Sequence, residues 1–139
     1  MNSRLRPLLS DEIAARDTGL ALAAQLVGAS LPLRIDQVQA LYDALLTAHV
    51  DGGGDASIAL GLAFGEQIVS TAAFEWVRVS DEYGEETCVS PPGKEIFCAP
   101  ISMLQKRLKR REAIDVARLR DEMIAVIHER IDEKDVADR

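Results

Sequence analysis

The sequence predicts an α+β fold, with N-terminal helices, a three-stranded antiparallel β-meander and C-terminal helices. Three observations carry that prediction. Apolar residues recur at helical spacing over residues 11–72, a block of β-formers (Phe74, Trp76, Val77, Val79) interrupts the pattern, and helical spacing returns from Ile101 onward.

The first helix is expected over residues 11–27, with Ser10 as N-cap, Asp11 and Glu12 at the positive end of its dipole, and Gly28 and Pro32 as the stop. Leu20, Ala23, Ala24 and Val27 form its apolar stripe. A second helix starts near Asp36, buries Val38, Leu41, Leu45 and Ala48, and ends before Asp51-Gly52-Gly53-Gly54, where consecutive glycines remove helix propensity. Asp55 or Ser57 is the expected cap of a third helix over 56–72, carrying Ile58, Leu62, Ile68, Val69 and Ala72. Gly61 and Gly65 lie four apart on that helix, where each costs about 1 kcal/mol relative to Ala, so close approach by another element is the expected compensation.

Phe74 and Trp76 face one side of the first strand, Val77 and Val79 the other, the pattern of a strand covered on both faces. A turn at Glu82-Tyr83-Gly84 leads to a second strand over 85–89, and Pro91-Pro92-Gly93-Lys94 leads to a third over 95–99. Connectivity places the middle strand at the centre; the Trp76 strand takes that place if the N-terminal region also pairs. Pro100 closes the third strand. Ile101, Leu104 and Leu108 then begin a short helix whose other face is Lys106, Arg107, Lys109 and Arg110. Asp115 caps a last helix with Val116, Leu119, Met123, Val126 and Ile127. The expectation is one domain over residues 1–139, with flexible ends at 1–9 and 132–139.

Composition excludes several classes of function. Of the 139 residues, 47% are apolar and 28% charged, the balance of a folded globular chain, and the net charge of −7 disfavours nucleic acid and anionic membranes. The uncharged run over residues 19–33 is too short to span a bilayer, and Asp11, Glu12 and Asp17 spoil a secretion signal, so a cytoplasmic location is expected. Cys88 and Cys98 lack metal or redox spacing, and only His49 and His128 could join them, so no metal and no cofactor is expected. In an antiparallel pairing across residues 91–94 the two cysteines come out almost opposite, leaving buried thiols and a disulfide both open.

No nucleophile elbow, phosphate loop or dinucleotide fingerprint is present, and no catalytic residue is assigned. Two charged constellations stand out. Asp81, Glu82, Glu85 and Glu86 cluster at the hairpin end, where clustered carboxylates bind a cation, share a proton or attract a basic partner. Residues 106–111 are mostly cationic, yet Glu112, Asp115, Asp121 and Glu122 follow, and no aromatic residue is interleaved for base stacking, so internal pairing is the expectation.

Leu60-Gly61, Gly65-Glu66, Trp76-Val77, Asp81-Glu82-Tyr83-Gly84 and Pro100-Ile101-Ser102-Met103 with Lys106-Arg107 together resemble a bacterial family known only as a domain of unknown function, over about residues 58–128. The resemblance implies the same helix, strand-turn and helix order and no activity. It singles out Asp81, Glu82, Tyr83, Lys106 and Arg107 as candidate binding residues, with Lys106 or Arg107 expected to meet Asp81 or Glu82 if the short helix packs over the hairpin. The expected function is a non-catalytic protein-interaction module of adaptor or toxin-neutralising type, its partner another protein or a second copy of the chain. The alternative is a small hydrolase or transferase with Glu66, Asp81, Glu82, Tyr83 and Arg107 around a cleft.

Overall fold

Helix α3, Gly54–Ala72, is small and apolar on nearly all sides and is accordingly buried nearly all round, from Ala59 through Gly65 and again at Gln67 and Ile68. In the computed structural model, which describes residues 3–137, the other elements surround it: β1 Arg4–Pro7, α1 Ser10–Val27, α2 Ile35–Thr47, β2 Glu75–Asp81, β3 Gly84–Ser90, α4 Pro100–Lys109 and α5 Val116–Ala137. The architecture is α+β, helices packed on a three-stranded antiparallel sheet of order β1-β2-β3. Of the ends expected to be flexible, residues 1–2 and 138–139 lie outside the described residues, while β1 occupies Arg4–Pro7 and α5 reaches Ala137.

Helix boundaries follow local chemistry, with two corrections at the caps. The N-cap of α1 is Leu9, and Ser10 is already helical; the Glu12 carboxylate reaches back to accept the Leu9 N–H at 2.8 Å. The N-cap of α3 is Gly53, ahead of both Asp55 and Ser57, and the Ser57 hydroxyl instead donates to the carbonyls of Gly52 at 3.1 Å and Gly54 at 2.9 Å. Gly28 ends α1 in the left-handed conformation at φ 67°, and the Asp115 carboxylate accepts the Arg118 N–H at 3.1 Å in the first turn of α5.

The third strand is not residues 95–99. That segment contributes only a bridge between Val89 and Cys98, bonded at 3.0 and 2.9 Å. Pro91 and Pro92 lack donors and Pro100 closes the segment, leaving too few backbone groups for a ladder. The partner of β2 is instead the N-terminal β1, with Leu5 opposite Val79 and Arg6 opposite Arg78, so the Trp76 strand is central. Its two faces separate as the alternation predicts. Trp76 packs on the main core with Val89, and Val77, Val79 and Cys88 form a second cluster with Leu5, Phe97 and Ala99.

The same pairing corrects the cysteine geometry. Cys98 sits opposite Val89, so Cys88 faces the other side of the sheet, and both thiols are free and buried. Burial pushes the Cys98 thiol up to about 12 and raises that of Cys88 as well. Among the described residues no helix is long and apolar enough to cross a membrane.

Candidate functional site

The expected close approach at Gly61 and Gly65 is present, and it positions everything around the hairpin. A Cβ on Gly61 would fall onto Ile101 Cα, and one on Gly65 would lie 2.5 Å from Trp76 Cη2 and 2.8 Å from Pro100 Cγ. The missing side chains therefore let α4 and β2 dock against α3. The Glu66 carboxylate accepts the Trp76 indole N–H at 2.8 Å, fixing the ring over the gap left by Gly65. These residues belong to the short blocks that carry the family resemblance, and here they form one packing knot.

The hairpin projects from this knot through a two-residue tip, Glu82-Tyr83, since Asp81 pairs with Gly84. The Asp81 carboxylate accepts the Tyr83 N–H at 2.8 Å, an Asx turn that ties this acid to the turn itself. Tyr83 is 83% exposed at the tip. Glu86 accepts a hydrogen bond from the Ser102 hydroxyl of α4. Glu85 lies 3.8 Å from Arg6 Nη2 and 3.6 Å from Arg78 Nε. Two of the acids are thus held internally by groups on other elements, and Glu82 and Tyr83 are left to present outward.

The cations that meet the acidic end are Arg6 and Arg78, and among the described residues no ion pair joins Lys106 or Arg107 to Asp81 or Glu82. Helix α4 does reach the hairpin, but through Ser102. Arg107 turns back along its own helix, its guanidinium donating to the Met103 carbonyl at 3.2 Å, while Lys106 lines a separate cavity beside Gly52 and Gly53. The residues of the hydrolase alternative are likewise divided. Glu66 lines a cavity with Leu20 and Leu33, whereas Asp81 and Tyr83 line another with Val79 and Phe97.

Sequence reasoning missed the pivot of the ion-pair network, Glu12. Its two oxygens accept Arg6 Nη1 at 2.7 Å and Nη2 at 2.9 Å, and Arg78 Nε lies 3.4 Å away. The fork joins β1 to α1, and Arg78 carries the charge across to Glu85. The available signal was the alternation of Arg4, Leu5 and Arg6, within residues 1–9 that the sequence reads as a flexible end. The hydrogen bonds from Arg6 and the Leu9 amide hold the Glu12 carboxyl down at about 2.

This shift sets a pH dependence. The unfolded carboxyl titrates near 4.5 and the folded one near 2, so its stabilising contribution is complete above about pH 4.5 and is lost as pH falls through 2. Thermal melts at stepped pH should show the wild type losing midpoint across that window, and Glu12→Gln should flatten that part of the curve. Superimposable pH profiles for the two proteins would remove Glu12 as the pivot.

Among the described residues no group of three or more His, Cys, Asp or Glu is placed to hold a metal ion. The sequence profile of the family described as Domain of unknown function (DUF3806) matches residues 35–119, from the start of α2 into α5. No curated protein and no solved structure matches the chain.

Proposed function

The chain belongs to the DUF3806 family, and from that premise we propose that it is a protein-interaction module without catalytic activity, presenting the β2–β3 tip to a basic partner. The observation that carries this reading is Tyr83. An aromatic side chain 83% exposed at a two-residue tip buries little of its ring in its own chain, and tyrosine is over-represented among the residues that dominate binding energy. Glu82 beside it and the Asp81 carboxylate give the tip negative character, complementary to a cationic surface on an adaptor's client, a toxin or a second copy of the chain.

The turn keeps this tip ready. Asp81 fixes the Tyr83 amide, and the strands beneath are paired along their whole length, from Glu75 with Ser90 to Asp81 with Gly84. A preorganised tip loses little conformational entropy on binding. The separation of Glu66 from Asp81 and Tyr83 in different cavities favours this surface over a catalytic cleft.

The experiment is capture of a partner by immobilised protein at low and high salt, alongside Tyr83→Ala and Glu82→Lys. Capture should fall with screening and should weaken at least tenfold in Tyr83→Ala. Because the side chain buries little of its surface, the stability of Tyr83→Ala should stay within about 0.5 kcal/mol of wild type. Partner binding that is indifferent to both substitutions would overturn the hairpin tip as the contact surface.

A further inference from the structure

A cavity of about 280 Å³ lies where the segment after α1 folds back against α3. Its apolar wall is Leu20 of α1, Leu31, Pro32 and Leu33 of the connecting segment, and Ala63 of α3. Leu20, Leu33 and Ala63 are buried, whereas Leu31 is 49% exposed and gives the cavity an apolar lip.

Two polar side chains of α3, Glu66 and Gln67, complete the wall, and each brings an oxygen that the fold leaves unused. Gln67 is only 9% exposed, and its NH2 group donates to the Leu33 carbonyl at 2.6 Å, tying the connecting segment to α3. Among the described residues its Oε1 accepts no hydrogen bond. Nor is that oxygen sealed in the core. Among the described residues Arg78 Nε is the one fully enclosed side-chain nitrogen or oxygen without a hydrogen bond, so Gln67 Oε1 opens to the cavity that Gln67 lines. A largely buried acceptor left idle is costly, and a donor that reaches it from the cavity removes that cost. Glu66 uses Oε2 to accept the Trp76 indole N–H at 2.8 Å, and among the described residues no cation pairs with its carboxylate.

These oxygens decide what the cavity can hold. The wall presents acceptors and a negative charge; its one side-chain donor, the Gln67 NH2, is already committed to Leu33, and Pro32 has no N–H. An anion finds no partner there. An ammonium group brings three donors and a positive charge to share between the carboxylate and the amide oxygen, while the leucines and Ala63 take a hydrocarbon tail. At about 280 Å³ the cavity falls just below the ~300–1,000 Å³ of pockets that enclose drug-sized ligands, so the tail is short.

We propose that this cavity binds a small aliphatic amine, its ammonium held by the Glu66 carboxylate and Gln67 Oε1 and its hydrocarbon laid against Leu20, Leu31, Leu33 and Ala63. The site is separate from the hairpin tip and does not depend on its role.

The test is titration of the full chain with n-butylammonium at constant ionic strength, with n-butanol and ammonium chloride as controls. Trp76 is the only tryptophan of the chain and its indole N–H is bonded to Glu66, so its proton resonance reports on this site alone. A saturable shift of that resonance is expected with n-butylammonium, with n-butanol binding at least tenfold more weakly and ammonium chloride giving no saturable shift. Glu66→Gln keeps an acceptor for the indole and should fold as the wild type does, yet weaken n-butylammonium binding at least tenfold. Leu31→Ala removes a half-exposed side chain and should weaken it at least threefold. An Nα-acetyl-lysine amide carries the same ammonium on a bulkier body and should bind no tighter than n-butylammonium; tighter binding would assign the cavity to a peptide side chain and overturn the free amine. A resonance that never saturates, equal binding of n-butanol, a shift reproduced by ammonium chloride, or undiminished binding in Glu66→Gln or Leu31→Ala would each overturn the proposal.

Discussion

Gly61→Ala and Gly65→Ala are each expected to destabilise the protein by about 1–3 kcal/mol, although a methyl group inside a helix normally gains about 1 kcal/mol over glycine. The reason is what the methyl would meet. At Gly61 it is the main chain of α4 at Ile101 Cα, which cannot step aside without moving the helix; at Gly65 it is the Trp76 ring and Pro100, both already fixed by packing and by the Glu66 hydrogen bond. Gly19→Ala is the internal control. Its new methyl would press on the Cδ1 end of Leu62, a buried side-chain tip and not main chain, so this variant should cost less than Gly61→Ala. Urea denaturation of the three variants gives the comparison. If Gly61→Ala proves as benign as Gly19→Ala, α4 is not held against α3 in the way described.

The same contact marks where sequence reasoning reached and where it stopped. Spacing alone indicated that something approaches Gly61 and Gly65, because two costly residues four apart on a buried helix need a compensation; it could not name Ile101, Trp76 and Pro100, since that is a statement about which distant segments meet. The helices were legible for a related reason: their signals are local, and α1, α2, α3 and α5 begin within two residues of where periodicity and caps place them. Residues 95–99 misled because alternation around Phe97 resembles a strand, while the real edge strand, Arg4–Pro7, carries two arginines and a proline and owes its conformation to pairing with β2.

The charged residues show the limit most clearly. The acidic hairpin was visible as composition, and the proximity of α4 was anticipated, yet the contact falls to Ser102 with Glu86, and Lys106 and Arg107 point elsewhere. Charge type tells what a group can pair with, and only register tells what it does pair with. Arg6 and Arg78 are cross-strand neighbours, so two like charges are forced together and Glu12 is drawn between them. Nothing in residues 4–12 read alone announces that arrangement.

Gln39→Ala and Tyr42→Phe should loosen the C-terminal helix selectively, because both side chains of α2 hold the segment that leads into α5. Gln39 satisfies two main-chain groups at once, donating to the Ile114 carbonyl at 2.9 Å and accepting the Val116 N–H at 2.8 Å. The Tyr42 hydroxyl, on a side chain with no exposed surface, donates to the Glu112 carbonyl at 2.6 Å. Each loss strands a group that water reaches poorly, at about 1–3 kcal/mol apiece, so Gln39→Ala should cost more than Tyr42→Phe. Since the two residues hold one short segment, their effects should not add, and the double variant should cost less than the sum by about 0.5 kcal/mol or more. Hydrogen exchange supplies the discriminating readout. Amides of Val116 and Leu119 should lose protection in the single variants while those of β2 keep theirs, whereas a uniform fall across α5 and β2 would mean that the latch has no local role and that these bonds only contribute to global stability.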